Sequence, residues 1–77
     1  MNNFIVVKEY DAKNKLAFQH AINKNIIVQV ISRPPEIVTE ETPANCVIQI
    51  LMGDVQNLFV IDTFDDIMAQ LSDKKKK

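Results

Sequence analysis

Residues 44–71, ANCVIQILMGDVQNLFVIDTFDDIMAQL, contain the pattern that decides the fold. Residues 44–52 and 56–61 are rich in the β-branched and aromatic side chains that strands favour. Gly53 and Asp54 lie between these two segments and are typical of a tight turn. The sequence therefore predicts a β-hairpin at this place.

The segment after the hairpin has the signals of a helix start and of one apolar helix face. Thr63 can cap the first turn, and Asp66 follows three residues later as in a capping box. Asp65 and Asp66 also lie where the helix dipole favours negative charge. Apolar residues recur at helical spacing at Phe64, Ile67, Met68 and Leu71. We expect a C-terminal helix whose apolar face belongs to the core.

The first half of the chain contains three further strand-like segments, at residues 4–10, 16–20 and 26–31. Residues 11–15 separate the first two segments and are rich in turn formers, which predicts a second hairpin. The third segment stops before two consecutive prolines, which remove backbone donors and restrict the residue that precedes them. Residues 32–43 are therefore predicted to form a loop.

Together these elements predict a mainly β, α+β fold, either an antiparallel β-meander or a small barrel of four or five strands, with one C-terminal α-helix. We expect residues 1–73 to form a single domain and residues 74–77 to be a disordered basic tail. The chain has 77 residues, so it has room for only one small core.

Both faces of the predicted sheet are apolar. Cys46, Ile48 and Ile50 point to one face, yet Val47 and Leu51 point to the other. A helix of about ten residues covers only one face of a sheet. The second face is then covered either by closure into a barrel or by another copy of the chain, and we favour a homo-oligomer.

Residue counts exclude several kinds of chemistry. The chain has one Cys, one His and one Gly, which rules out a disulfide scaffold, a site with several His ligands and a glycine-rich phosphate loop. A nucleophilic pair of Cys46 and His20 is disfavoured because Cys46 alternates into an apolar strand. We therefore expect a protein that is not an enzyme, with no cofactor and no metal site.

The same sequence favours a cytoplasmic location. A lone thiol fits a reducing compartment, and the first residues lack the pattern of a signal peptide. No apolar run approaches the roughly 20 residues that span a bilayer, so we expect no membrane partner.

Charge is distributed unevenly along the chain. Four of the nine basic residues form the terminal run, and without them five basic residues face ten acidic ones, a net charge of −5. Nucleic-acid binding needs a basic surface, so we rank it below protein binding. As an alternative it would use Lys8, Tyr10, Lys13 and Lys15 together with Lys74, Lys75, Lys76 and Lys77. An acidic inhibitor of a nucleic-acid enzyme, of the type that phages or mobile elements encode, is a third possibility.

The predicted loop offers the best candidates for binding an unidentified protein partner, because exposed loops on a rigid sheet often bind ligands. The candidate residues are Arg33, Pro34, Pro35, Glu36, Glu40 and Glu41. The alternative is a plain connector whose prolines protect a sheet edge from aggregation.

Three segments resemble the small FlbD-type flagellar and swarming-motility proteins and their uncharacterised bacterial and phage relatives. They are residues 22–27 (INKNII), 41–50 (ETPANCVIQI) and 59–67 (FVIDTFDDI). Residues 30–39 look like an insertion relative to that family, and Gly53 and Asp54 replace its Asn-Gly turn. The resemblance implies a β-meander with a C-terminal helix and a non-enzymatic role, and it supplies no catalytic residues.

Overall fold

The computed structural model describes residues 3–72, so the predicted basic tail lies outside the described residues. Along the chain the elements are β1 (Phe4–Asp11), β2 (Leu16–Asn23), β3 (Ile27–Ser32), β4 (Cys46–Met52), β5 (Asp54–Val60) and α1 (Phe64–Ser72). Two 3₁₀ turns, Lys24–Ile26 and Pro35–Ile37, flank β3. Within the described residues, no helix is long and apolar enough to cross a membrane.

The five strands form one antiparallel sheet in the order β2-β1-β5-β4-β3. β3, β4 and β5 form a meander, and the β1–β2 hairpin joins it where Glu9 pairs with Val60. The prediction of an antiparallel sheet with one C-terminal helix is confirmed, but the barrel alternative is wrong because the sheet is open. Closure would require β2 to pair with β3, whereas these two strands are the two edges of the sheet and α1 packs against β1 and β3.

Local side-chain chemistry explains where several elements begin. The Asn23 side chain accepts a hydrogen bond from the Asn25 N–H at 2.8 Å and caps a 3₁₀ turn, so β3 begins at Ile27 instead of Ile26. Gly53 has a φ of 79°, a left-handed conformation that glycine adopts without strain, and it forms the tight turn between β4 and β5. The Thr63 hydroxyl accepts a bond from the Asp66 N–H at 3.2 Å, which confirms the predicted helix cap.

The core lies on the inner face of the sheet, which we define as the face that α1 covers. Its buried residues are Ile5, Val7, Ile22, Cys46, Ile48, Ile50, Val60 and Ile67. These side chains exclude water almost completely, so their burial is the main favourable contribution to folding.

The expectation that the whole apolar stripe of the helix belongs to the core is wrong. Ile67 is fully buried and Leu71 is partly buried, but Phe64 and Met68 are exposed. The helix has only nine residues and packs against β1 and β3, and its apolar stripe extends beyond the core. Phe64 and Met68 line a shallow groove there with Val28 and other residues of β3.

Side chains complete the edge of β1 where β5 has ended. The Gln70 side chain accepts a hydrogen bond from the Val6 N–H at 2.8 Å and donates one to the Val6 carbonyl at 2.9 Å. Asp62 accepts a bond from the Lys8 N–H at 2.6 Å. These bonds satisfy strand groups that would otherwise need another strand or water.

Candidate functional site

The most distinctive surface is the face of the β3–β4–β5 meander that points away from the helix. Strand alternation and register assign eight residues to this outer face: Gln29, Ile31, Val47, Gln49, Leu51, Val55, Asn57 and Phe59. None of the eight is charged. The face of an antiparallel sheet that is exposed to water usually carries polar and charged side chains, so this composition is unusual.

The outer face is organised in three rows across the strands. Ile31, Val47 and Phe59 form one apolar row, and Leu51 lies opposite Val55 in another. The middle row consists of Gln29, Gln49 and Asn57.

Four of the five apolar residues of the outer face are strongly exposed. Leu51 and Val55 are 51% and 57% exposed, and Phe59 and Ile31 are 46% and 40% exposed. In the middle row, the Gln29 amide donates to the Gln49 amide oxygen at 2.6 Å. The outer face therefore presents apolar surface with a neutral row of amides, which is typical of an interface core.

Arg33 begins the loop between β3 and β4 and holds it together. Its guanidinium donates hydrogen bonds to the carbonyls of Ala44 at 2.7 Å, Ile37 at 3.2 Å and Thr42 at 3.3 Å. Its central carbon lies 5.6 Å from the ring centroid of Phe59, within the range of a cation–π contact. Arg33 thus has internal partners, and its predicted role in binding a partner has to compete with these bonds.

The other predicted loop residues point to solvent. Pro34 precedes the 3₁₀ turn Pro35–Ile37, and Pro34, Pro35 and Glu36 are all exposed. Glu40 and Glu41 lie at the tip of a turn that Thr39 and Thr42 close with their backbone and hydroxyl groups. The structure brings these three carboxylates to one exposed loop.

A shallow depression of about 200 Å³ lies where this loop meets β1 and β5. Tyr10, Arg33 and Phe59 line it together with Ala12, Thr42 and Ala44. The pairing of Glu9 with Val60 places Tyr10 beside Phe59, so the apolar row that contains Phe59 continues onto β1.

The lysines of the nucleic-acid alternative lie on the β1–β2 hairpin. Lys8 and Tyr10 project from the same side of β1, and Lys13 and Lys15 belong to the turn after it. Asp11 folds this turn by accepting bonds from the backbone of Lys13 and from Asn14. The hydrogen bond from the Asn14 side chain lowers the pKa of the Asp11 carboxyl below its ordinary value.

The sole thiol and the sole imidazole have separate surroundings. Cys46 is fully buried, and burial raises the pKa of its thiol, with the negative charge of Asp62 raising it further. His20 lies on β2, where its Nε2 is 2.9 Å from the Glu9 carboxylate. A protonated, buried thiol is a poor nucleophile. Residues 3–72 contain no cluster of His, Cys, Asp and Glu that could hold a metal ion.

Sequence reasoning identified the second apolar face from Val47 and Leu51 but missed the neutral amide row. That row depends on the pairing of Gln29 with Gln49 and of Gln49 with Asn57, and pairing partners are not visible in one strand alone.

Comparison of the chain with protein-family models, curated proteins and solved structures finds no match.

Proposed function

We propose that this protein is a small, non-enzymatic interaction module that associates with copies of itself through the outer face. The observation that carries the proposal is the absence of charge from the eight outer-face residues, four of which are apolar and between 40% and 57% exposed. Exposed apolar surface of this kind marks interaction sites.

A second copy of the chain fits the outer face better than a charged partner does. Neutral amides both donate and accept hydrogen bonds, so Gln29, Gln49 and Asn57 can pair with the same residues of a copy related by a twofold axis. Apolar rows on either side of the amide row would meet apolar rows of the copy. A partner rich in charge would have to bury that charge without a counterion.

The size of the outer face sets the expected strength of the association. Three strands, one of six residues and two of seven, cover roughly 14 by 23 Å at standard strand spacing, about 330 Å² in projection. That is less than half of the about 800 Å² that a stable interface buries on each partner. We therefore expect dissociation in roughly the micromolar range or above.

The experiment is light scattering on the wild-type protein and on Leu51→Lys across a concentration series. Leu51 is 51% exposed, so the monomer tolerates lysine there, whereas a buried charge in the interface would weaken association at least about tenfold. The matched control is Met52→Lys, because Met52 is the next residue of β4, points to the opposite side and is 59% exposed.

We expect Leu51→Lys to lower the average mass while Met52→Lys leaves it unchanged, with far-ultraviolet circular dichroism of both variants like that of the wild type. Equal masses for Leu51→Lys and the wild type would contradict the proposal.

The exposed loop is the site we propose for a different protein partner, through Glu36, Glu40 and Glu41. These carboxylates are exposed and fixed by a folded loop, so they suit a basic surface.

The relationship to FlbD-type proteins that the sequence suggests remains a prediction, as does a cytoplasmic location.

A nucleic-acid-binding module is the second candidate, since Lys8 and Tyr10 share one side of β1 beside a turn with two more lysines. It predicts binding to a single-stranded oligonucleotide that weakens as salt rises and that Lys8→Ala reduces.

A further inference from the structure

We infer that β2 is an open sheet edge that pairs with β2 of a second copy, in antiparallel orientation about a twofold axis at Gln19. This inference rests on the proposed function, because it specifies a second contact by which the same module associates with itself. It is carried by a different surface from the outer face.

The alternation of hydrogen-bonded and non-hydrogen-bonded residue pairs in the β1–β2 hairpin shows which backbone groups of β2 point outward. The Lys24 N–H donates to the Asn3 carbonyl at 2.8 Å, and these residues lie opposite each other in the register. In an antiparallel ladder such bonded pairs alternate with pairs that are not bonded. Residues 16, 18, 20 and 22 of β2 therefore bond to β1.

The hydrogen bonds of β1 confirm this assignment of bonded pairs. The N–H groups of Val6 and Lys8 donate to Gln70 and Asp62, away from β2, as the same alternation requires. The outward groups of β2 therefore belong to Ala17, Gln19 and Ala21. Within residues 3–72, β2 pairs only with β1, so these three residues present six backbone groups to solvent.

The edge at β3 differs because it is protected. The register of β3 shifts between Ile27 and Gln29, and the strand is followed by Pro34 and Pro35. Bulges and prolines are devices that prevent another strand from pairing at an edge. Residues 16–22 of β2 contain no proline, no Lys or Arg and no Asp or Glu. β2 is therefore the edge on which a strand can be added.

The sequence of β2 identifies that strand as another copy of β2. Residues 16–22 read LAFQHAI, in which Gln19 is flanked on both sides by a residue with a planar ring, then an alanine, then a branched aliphatic residue. With Gln19 opposite itself, Ala17 lies opposite Ala21 of the copy, Phe18 opposite its His20, and Leu16 opposite its Ile22.

This register also uses every outward backbone group. The pairs of 17 with 21, 19 with 19 and 21 with 17 are all bonded pairs, which gives six hydrogen bonds between the copies. A shift by two positions toward the end of β2 would place Leu16 opposite Lys24, which lies in the 3₁₀ turn after β2. A shift the other way would bring Lys15, a turn residue with a φ of 56°, into the pairing.

The test uses Gln19→Pro, because proline removes an N–H that the monomer does not use. Proline is tolerated in an edge strand where its nitrogen faces solvent, so the β1–β2 ladder stays intact. Gln19→Thr is the matched control, since it changes the side chain and keeps the N–H. Two twofold contacts on one chain predict an assembly larger than a dimer.

We expect light scattering at high concentration to give more than two chains for the wild type and for Gln19→Thr. Gln19→Pro and Leu51→Lys should each stop at two chains, and the double variant should be a monomer of 8.8 kDa. In amide exchange measured by mass spectrometry or NMR, residues 17, 19 and 21 should slow at least about tenfold between dilute and concentrated protein. Leu51→Lys should show the same slowing.

Failure of this inference is distinguishable from failure of the proposed function. If Gln19→Pro has the mass of the wild type, and if the exchange of residues 17, 19 and 21 in the wild type does not depend on concentration, the pairing of β2 is wrong. If only Leu51→Lys has the mass of the wild type, the outer face is wrong while the edge contact stands. A wild-type monomer at every concentration overturns both.

Discussion

Replacing Gln70 by Met tests whether one helix side chain substitutes for a missing strand. Gln70 makes two hydrogen bonds to the backbone of Val6, at 2.8 and 2.9 Å, and thereby covers the part of β1 that β5 does not reach. Methionine has nearly the same length and helix propensity, so Gln70→Met removes the hydrogen bonds and little else. The Val6 groups would then depend on water.

The expected loss follows from the number of bonds and their exposure. A net contribution of about 1 kcal/mol for each bond gives an upper value of about 2 kcal/mol, and because water can reach Val6 we expect about 1–2 kcal/mol. For a domain of this size, that loss lowers the melting temperature by roughly 4–16 °C. The assay is urea unfolding followed by circular dichroism at one fixed protein concentration, because self-association also stabilises the folded state.

Two further variants make this prediction specific. Gln56→Met is the control, since Gln56 is exposed on β5 and the same change there should shift the free energy of unfolding by less than about 0.5 kcal/mol. Gln70→Glu keeps the acceptor for the Val6 N–H. Its second carboxylate oxygen replaces the donor, so two acceptors face each other at the Val6 carbonyl.

Protonation restores a donor in Gln70→Glu, so the folded state raises the pKa of the new carboxyl. This variant should therefore regain stability as the pH falls toward about 4 and lose it again as the pH rises through the raised pKa. A free energy of unfolding for Gln70→Met within error of Gln56→Met would refute the reasoning.

Three other predictions concern the core, the loop and the thiol. Ile67→Ala should lower the free energy of unfolding by about 2–5 kcal/mol in urea titrations, since Ile67 is the one fully buried residue among those described in α1; a loss below about 1 kcal/mol would show that α1 is dispensable. Arg33→Ala should speed amide exchange and proteolysis in residues 36–42, because the guanidinium holds the loop by hydrogen bonds to its carbonyls. Arg33→Lys should restore only part of the protection, since lysine lacks the planar guanidinium with its several donors. Unchanged exchange in Arg33→Ala would contradict this role of Arg33. Because the pKa of Cys46 is raised in the folded state, stability should fall as the pH rises above 9.0, the ordinary value, and the fall should be smaller in Cys46→Ala; equal pH profiles would contradict it.

The hairpins and the helix could be predicted from sequence because their signals are local. Gly53 adopts the left-handed conformation of the turn between two apolar strands. Thr63 caps the helix by accepting a hydrogen bond from the N–H of Asp66, three residues later. The edge of β1 could not be predicted in this way. Gln70 and Asp62 are 64 and 54 positions away from the residues whose backbone they bind.

Features of the surface also differ in whether local sequence is enough to predict them. The apolar character of the second face was evident from Val47 and Leu51, since alternation along one strand is enough to reveal it. The open sheet was not evident, because it depends on where α1 packs relative to β1 and β3. The exposure of Phe64 and Met68 was not evident either, since it depends on how much of its apolar stripe the short helix buries against the sheet.

The central claim is that the uncharged outer face is covered by a copy of the chain, and the mass of the wild-type protein in solution tests it most directly. Light scattering should be recorded across a concentration series at low and at high salt. We predict a mass of at least two chains of 8.8 kDa that does not fall as salt rises, because none of the eight outer-face residues carries a charge for salt to screen. A monomer at every concentration would contradict the claim, and so would an assembly that high salt dissociates.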